Sequence, residues 1–262
     1  MDLITDKMAS MSLGFKVTVE SPDVLKKMFM LLDELNDDVN LVFTDRGLRI
    51  QSMDTSHVAL ISVRISKDFF ASYNVYETIA IGIKLSSLVR VLGIVEGSFS
   101  FEYSDETQDE FVIRSDHEHF RLKTIDLESE EMEVPDMEYE VEIDADASVM
   151  SKHFKNLASF GDSTIFSTDG GSVEMRASGD IGTASIKIHD QRVKINGKVT
   201  GKFASRYLVT FAKAASISKE VGIKFSADRP IVMRYEFGPE SFISFFLAPK
   251  IFEDEEDDES PE

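Results

Sequence analysis

The chain has 262 residues, 42% of them hydrophobic, which is enough for the cores of one large domain or two ordinary ones. It has no cysteine, which excludes disulfides, zinc–thiolate sites and thiol catalysis. Its formal net charge is −20, with 28 Lys and Arg against 48 Asp and Glu. Most of its surface should therefore repel phosphate, and a DNA-binding function would need a concentrated basic patch.

Neither end of the chain predicts secretion or membrane insertion. The first ten residues lack the basic region and apolar core of a signal peptide, and no apolar run reaches the ~20 residues that a membrane span needs. Residues 253–262 hold eight acids and no base, which predicts a solvated, disordered acidic tail.

Four short segments have the periodicity of amphipathic helices. The first opens at Ser21 and Pro22, a capping residue followed by proline at the first helical position, while Gly93 and Gly161 are predicted to end the second and third. The segments between them alternate apolar and polar residues, which predicts strands. The apolar stripes are, in chain order, Val24, Leu25, Met28, Leu31, Leu32 and Leu35; Leu85, Leu88, Val89 and Leu92; Met150, Phe154, Leu157 and Phe160; and Tyr207, Leu208 and Phe211.

The two halves of the chain resemble each other. Corresponding helices lie about 120 to 125 residues apart, and the first helix of each half precedes a similar strand–turn–strand segment. We interpret this as an internal duplication, with two domains of one β-rich fold and two helices in each. The matched residues are Thr44-Asp45 with Thr168-Asp169, Ser52 with Ser178, and Asp54 with Asp180.

An acidic segment, residues 124–139, separates the halves; it contains Pro135 and no sustained periodicity, so it is predicted to be an extended linker. The predicted organisation is an N-terminal extension over residues 1–12, domains over 13–123 and 138–252 joined by a connector over 124–137, and the acidic tail.

Several motifs, in one order and register from about Ser12 to about Glu256, resemble the proliferating cell nuclear antigen (PCNA) family of DNA sliding clamps. They are LRIQSMDTSHVALISVRI from residue 48, VPDMEY from residue 134, SADRPIVMRYEF from residue 226 and FFLAPKIFEDEE from residue 245. The resemblance implies an α+β DNA-clamp fold in a closed homotrimeric ring, with helices lining the hole and sheets outside. Such closure would also cover exposed sheet edges.

The polar faces of the predicted helices are mostly basic despite the negative net charge. For any one residue, a solvated helix face is the alternative interpretation. Some of these residues also match hole-lining positions of the family, namely Lys26, Lys27, Arg206 and Lys213. We therefore predict phosphate contacts that are independent of sequence and weakened by salt. The predicted DNA-facing residues are Lys26, Lys27, Arg90, Lys152, Lys155, Arg206 and Lys213.

The resemblance also implies a hydrophobic pocket under the connector for a partner peptide, in which a glutamine precedes an aliphatic residue and two aromatics. For Leu60 or Leu247 taken singly, core packing is the alternative. The expected pocket residues are Met53, His57, Val58, Leu60, Met132, Val134, Pro135, Pro230, Phe246, Leu247, Ala248, Pro249 and Ile251.

The family pattern places an edge strand near residues 117–125 beside one near residues 181–188 of the next subunit. The residues expected at this interface are Phe120, Leu122, Ile181 and Ile186. His117 and His119 are placed on one strand without nearby ligands, so we predict neither a metal site nor a cofactor.

The predicted function is that of a non-catalytic processivity factor, which encircles duplex DNA and tethers DNA polymerase. Other expected partners are the clamp loader, flap endonuclease, DNA ligase and proteins of mismatch repair and translesion synthesis, with no membrane partner. The expected location is the nucleus for a eukaryotic or nuclear-replicating viral protein, and the cytoplasm for an archaeal one.

Two alternatives compete with this prediction. A metal-dependent nuclease would need clustered carboxylates, but the acids show no recognisable catalytic spacing, and P-loop, H-x-x-x-H and G-x-S-x-G motifs do not occur. A specialised clamp paralogue in a heterotrimeric ring would usually match the family signature poorly, whereas the signature is intact here.

Overall fold

The structure, a computed structural model, describes residues 14–104, 109–128, 137–188 and 192–251. The chain divides into two compact units. Unit 1 comprises Met1–Asp136, Ala214–Lys219 and Arg234–Phe245, and unit 2 comprises Met137–Lys213, Glu220–Met233 and Phe246–Glu262. Each unit is rich in strands and contains two α-helices, in agreement with the predicted α+β class.

The described elements repeat one order along the chain: a strand, a helix, five strands, a second helix and three strands. The first series is β1 Gly14–Val19, α1 Asp23–Asp33, β2 Asp38–Thr44, β3 Gly47–Met53, β4 Ala59–Ser66, β5 Ser72–Asn74, β6 Ile79–Lys84, α2 Leu85–Ile94, β7 Phe99–Ser104, β8 Glu110–Arg114 and β9 His119–Lys123. The second is β10 Val141–Asp146, α3 Ala147–Ala158, β11 Ser163–Thr168, β12 Val173–Gly179, β13 Gly182–Ile188, β14 Arg192–Ile195, β15 Val199–Ala204, α4 Ser205–Phe211, β16 Glu220–Phe225, β17 Ile231–Gly238 and β18 Ser241–Leu247. Short 3₁₀ helices span Lys67–Phe69 and Ala212–Ser216.

The strands pair in the same pattern in both units. The order β4-β3-β2-β6 in unit 1 is matched by β13-β12-β11-β15 in unit 2, and β5-β1-β7 is matched by β14-β10-β16. In unit 1, β8 and β9 extend the second group, so that β9 is the edge of a five-stranded sheet. In unit 2, β13 is the edge of a four-stranded sheet.

Matching threonines also form the same turn in both units. The hydroxyl oxygen of Thr44 accepts the N–H of Arg46 at 3.2 Å, and that of Thr168 accepts the N–H of Gly170 at 3.0 Å. Side-chain oxygens that bond the backbone two residues on favour turns. Together with the repeated order of elements, this confirms the internal duplication.

The helix ends differ from the sequence-based prediction by one to three residues. Helix α1 begins at Asp23, with Pro22 as a cap whose side chain makes no bond; Ser21 was therefore the wrong cap. Gly93 lies inside α2, which ends at Ile94. Helix α3 ends at Ala158, and a side chain at Gly161 would instead collide with the carbonyl oxygen of Ser178. That glycine allows close strand approach rather than ending the helix.

Each unit has an aromatic core beneath its helices. Phe43 contacts Phe15, Phe101 and Phe111 in unit 1, with ring centroids 4.1–6.4 Å apart. In unit 2, Phe166 contacts Phe154, Phe203 and Phe225, with centroids 5.3–6.2 Å apart. Burying such large side chains supplies much of the hydrophobic stabilisation. The predicted helical stripes contribute to these cores, except that Val24, Leu35, Val89 and Phe160 are only half-buried.

Candidate functional site

The basic residues on the two helices of unit 1 differ in their exposure and in their hydrogen bonds. Helices α1 and α2 pack against each other. Lys27 and Arg90 are exposed, whereas Lys26 is half-buried and its ammonium donates to the carbonyl oxygen of Val95 at the end of α2. Lys27 reaches the carbonyl oxygen of Ser216 at 3.5 Å. Lys26 therefore stabilises the helix pair as well as contributing charge.

Unit 2 presents four exposed cations, three of them on its two α-helices and one directly after α4. Lys152 and Lys155 lie on α3 and Arg206 on α4, where its guanidinium carbon is 4.9 Å from the ring centroid of Tyr207. Lys213 lies in the 3₁₀ helix after α4, not on the fourth α-helix itself.

His153 is a residue on α3 that the sequence prediction missed. It is half-buried, and burial followed by the charge of Lys152 lowers its pKa. It therefore adds no positive charge to this face near neutral pH. In the sequence, only its position between Lys152 and Phe154 could have indicated that His153 belongs to this face of α3.

Part of the predicted peptide pocket lies at the β3–β4 connection of unit 1. Met53 pairs with Leu60 across the strands, and both are half-buried. His57 and Val58 are exposed on the connecting loop, where His57 has a φ of +56°. These residues share one end of the hairpin.

Two polar side chains that the sequence prediction left out of the pocket hold this loop. Asp54 is only 6% exposed, and its carboxylate accepts the N–H groups of Ser56, Val58 and Ala59 at 3.2, 2.9 and 2.7 Å. The amide of Asn36, which follows α1, donates to the Met53 carbonyl oxygen at 2.8 Å. A buried carboxylate is stable only when it is bonded in this way, so burial was the missing signal.

The remaining described pocket residues belong to unit 2. Pro230, Phe246, Ala248 and Pro249 are half-buried, and Ile251 is 89% exposed. Leu247 is 1% exposed, which favours core packing for its side chain. Met132, Val134 and Pro135 lie outside the described residues, and the assembly of one pocket from these parts stays a prediction.

Strand β18 continues into an anchored segment that belongs to unit 2. The N–H of Lys250 donates to the carbonyl oxygen of Lys202 on β15 at 2.7 Å, and its ammonium donates to the Ser163 hydroxyl at 2.8 Å. These bonds fix the path of the chain beside Pro249 while leaving Ile251 in solvent.

The four predicted interface residues lie on or beside the two sheet edges. Phe120 and Leu122 are half-buried on β9, and Ile186 is half-buried on β13. Ile181 is 72% exposed, and it belongs to the turn before β13 rather than to the strand. Whether the two edges meet in neighbouring subunits stays a prediction.

The described residues contain no group of three or more His, Cys, Asp or Glu side chains that could hold a metal ion. Only His119 lies on β9, because His117 precedes that strand; the placement of both on one strand was wrong. His119 contacts Arg114, with 3.4 Å between their nitrogens. No described helix is long and apolar enough to cross a membrane.

Each unit has ion pairs between its own neighbouring strands, and the strands involved hold matching positions in the two units. Glu102 on β7 binds Lys16 on β1 at 2.9 Å and Arg114 on β8 at 3.0 Å. Burial would raise the pKa of Glu102, but its hydrogen bonds with Lys16, Arg114 and Ser100 outweigh it and lower that pKa. In unit 2 the signs are exchanged: Glu142 on β10 binds Lys224 on β16 at 3.1 Å, and this bond lowers the Glu142 pKa.

Comparison with known proteins gives one consistent result across the chain. Family models for the N-terminal and C-terminal domains of proliferating cell nuclear antigen match residues 14–148 and 133–250. A probable DNA polymerase sliding clamp 2 of Paramecium bursaria Chlorella virus 1 is 45% identical over 94% of this chain and 94% of that protein.

Cellular proteins are also similar. The proliferating cell nuclear antigen of Chaetomium thermophilum is 28% identical, over 90% of this chain and 98% of its own length. The crystal structure of proliferating cellular nuclear antigen from Entamoeba histolytica matches with a TM-score of 0.84 and 24% identity, covering 92% of this chain and 100% of that one. At this identity, the structural likeness establishes the fold.

Proposed function

This chain belongs to the proliferating cell nuclear antigen family of DNA sliding clamps, and we propose that three copies of it close into a ring around duplex DNA. Members of the family are processivity factors without catalytic activity. Family membership therefore confirms the prediction that the chain is not an enzyme and removes the nuclease alternative.

One observation supports the DNA-facing role of the helices most directly. Among the described residues, Arg90, Lys152 and Lys155 form no salt bridge, although the chain has 48 acids for 28 bases. Several cations on the strands are paired instead, for example Arg121 with Glu110 at 3.5 Å and Arg192 with Glu220 at 3.0 Å. These three helical cations are thus available to phosphates.

These contacts would be few and weak, and that suits a clamp. A phosphate contact carries no sequence information and is displaced by salt. A closed ring retains DNA by topology, so that loose contacts allow it to slide. The negative charge elsewhere would discourage DNA from binding outside the ring.

Ring closure would join the edge strand β9 of one copy to β13 of the next. An edge strand presents unpaired N–H and C=O groups that readily bind another strand. Phe120 and Leu122 on β9, with Ile181 and Ile186 at the other edge, would supply apolar contact across the joint.

Partner proteins would dock a short peptide against the β3–β4 loop, the connector and the C-terminal segment. Val58 and Ile251 are exposed apolar side chains, and burying such surfaces drives most peptide affinity. A DNA polymerase is the primary partner that we propose, followed by the clamp loader, flap endonuclease, DNA ligase and repair proteins. The nucleus is the proposed location in a eukaryotic host, or for a virus that replicates there.

The domain limits predicted from the sequence, residues 13–123 and 138–252 with a connector over 124–137, belong to this proposal. So does the acidic tail over residues 253–262. A specialised paralogue in a heterotrimeric ring is the second candidate, and oligomeric state distinguishes the two.

Native mass of the purified chain, combined with peptide binding, tests this function. We expect a mass of three chains and saturable binding of a glutamine-aliphatic-aromatic-aromatic peptide. The matched control peptide has alanine at both aromatic positions and should not bind. A stable monomer would favour the paralogue, and a trimer that ignores the peptide would remove the proposed pocket.

A further inference from the structure

The two helices of unit 2 lie in parts of the sequence that contain no acid. Residues 147–161, which include α3, carry Lys152 and Lys155 but no Asp or Glu. Residues 195–213, which include α4, carry four Lys and Arg and again no acid. Because α3 packs against α4, these segments give one region of a chain with 48 acids a positive local charge.

Three exposed cations of this region have no carboxylate partner among the described residues. Lys152 and Lys155 are three residues apart on α3, which places them on one side of the helix, away from its buried residues. Arg206 is the second residue of α4, and its guanidinium lies over the ring of Tyr207. We call Lys152, Lys155 and Arg206 the basic face of unit 2.

The helices of unit 1 do not offer an equivalent face. Asp23 and Asp33 lie at the two ends of α1, and α2 contributes only Arg90. The ammonium groups of Lys26 and Lys27 both donate to backbone carbonyl oxygens. The cations of unit 1 are therefore either partly compensated or isolated, and unit 2 is the stronger site for a polyanion.

The described part of the chain ends close to this basic face. The N–H of Lys250 donates to the carbonyl oxygen of Lys202 on β15, and its ammonium donates to the hydroxyl of Ser163. Ser163 pairs with the last residue of β15, and α4 begins at the next residue along the chain. Residues 252–262 therefore leave the fold near the corner from which Arg206 projects.

The remaining chain is long enough to cover the basic face. Lys155 and Ser163 can be at most about 22 Å apart, given the rise of a helix and the length of an extended chain. Residues 252–262 span up to about 35 Å when extended. The acidic tail over residues 253–262 holds eight acids and no base, so its charge is complementary to that of the face.

We propose that the acidic tail of each chain docks on the basic face of its own unit 2, where it competes with the phosphates of DNA. Single exposed ion pairs are weak and are screened by salt. The covalent link nevertheless supplies the tail at an effective concentration in the millimolar range, so weak contacts are enough to hold it. Only the competition with DNA rests on the proposed function; the docking does not.

The reactivity of lysines towards an acetylating reagent, read by mass spectrometry, tests the docking without DNA. The full chain is compared with a chain that ends at Phe252. Lys152 and Lys155 should react at least about twofold more slowly in the full chain, because a millimolar affinity already gives half occupancy. Lys67, an exposed lysine of unit 1, is the control and should react equally in both. About 0.5 M salt should remove the difference.

A chain with a neutral tail of the same length separates charge from bulk. It carries Glu255→Gln, Glu256→Gln, Asp257→Asn and Asp258→Asn, and its lysines should react nearly as fast as those of the truncated chain. Equal rates at Lys152 and Lys155 with and without the tail would overturn the proposal. The same slowing at Lys67 would also overturn it, because it would indicate a general effect of net charge.

A labelled peptide of residues 253–262, added to the truncated chain, tests the site directly by fluorescence polarisation. Saturable binding should weaken about twofold to thirtyfold in the Lys152→Gln, Lys155→Gln double variant, as the loss of two exposed ion pairs predicts. Lys67→Gln should bind normally, and duplex DNA should displace the peptide. No binding, or equal binding by all chains, would overturn the docking while leaving the proposed ring intact. A bound peptide that duplex DNA does not displace would support the docking but contradict the proposed DNA-facing role of these helices.

Discussion

Units 1 and 2 repeat one order of elements, but they connect their matching hairpins differently. In unit 2, β12 and β13 are joined by a two-residue turn, with Gly179 paired to Gly182 and Asp180 exposed between them. In unit 1, β3 and β4 are joined by a longer loop that folds around the buried carboxylate of Asp54. Two aspartates that match in the sequence therefore have different roles.

The difference indicates how a duplicated fold acquires two functions. The helix pairs stay alike, because both would face the same DNA. The hairpin end changes only in unit 1, where the loop presents His57 and Val58 for partner binding. We expect the shared features to serve the ring and the unshared feature to serve recruitment.

If the units contribute complementary edges to the ring, one substitution on β9 should abolish assembly. Leu122→Arg places a charge in an apolar joint, where an unpaired buried charge is strongly unfavourable. Sedimentation velocity should show monomers in place of trimers. Arg121→Ala, at the neighbouring exposed position on β9, should remain trimeric. A trimeric Leu122→Arg protein would contradict the proposed edge pairing.

The matched aspartates provide the most direct test of the hairpin comparison. Asp54→Ala removes three bonds to backbone N–H groups, so we expect the free energy of unfolding to fall by about 2–4 kcal/mol. Binding of the partner peptide should weaken with it. Asp180→Ala should change stability by less than about 0.5 kcal/mol, as for most surface positions. Chemical denaturation measures both, and equal effects would refute the comparison.

The helix pairs should contribute alike to DNA binding. Lys27→Ala with Arg90→Ala removes two cations from unit 1, and Lys152→Ala with Lys155→Ala removes two from unit 2. Each double variant should reduce the slope of log affinity against log salt by about 2 for every subunit that contacts the DNA. The measurement is duplex binding across a salt series. An unchanged slope in one variant would place that helix pair away from DNA.

The ion pairs of Glu102 in unit 1 and Glu142 in unit 2 predict a small contribution to the stability of the fold that depends on pH. A carboxylate with a lowered pKa stabilises the fold above its ordinary pKa of 4.5, and this contribution is lost as the pH falls. Glu102→Gln and Glu142→Gln should therefore cost at most about 1 kcal/mol at pH 7.

Thermal melts from pH 7 to pH 3 check this expectation. The difference from the unaltered chain should narrow below pH 4.5. A difference that stays constant over the whole range would show that packing, not charge, causes it.

Much of the fold was predictable from the sequence, because it depends on local patterns. Helical stripes such as Leu25, Met28 and Leu32 are buried as their periodicity indicated, and the threonine turns mark the duplication. The helix ends were less predictable. Gly161 has the composition signal of a helix terminus, but it is a glycine because β12 passes close to it.

The site was predictable only in part, because burial and bonding depend on distant elements. Leu247 and Leu60 read alike in the sequence, yet Leu247 is buried and Leu60 is half-buried. Lys26 and Lys27 are neighbours, but only Lys26 binds the end of α2 through Val95. Neither the bonds of Asp54 nor those of Lys250 could be recognised before the fold was known.

Retention on DNA of different topology tests the central claim, which is that the chain holds DNA by encircling it. The clamp is loaded on nicked circular DNA, and half of the sample is then linearised. We predict that the protein stays on the circles and runs off the linear molecules. Equal retention on both forms would contradict the account, because it would show that contacts rather than enclosure hold the DNA.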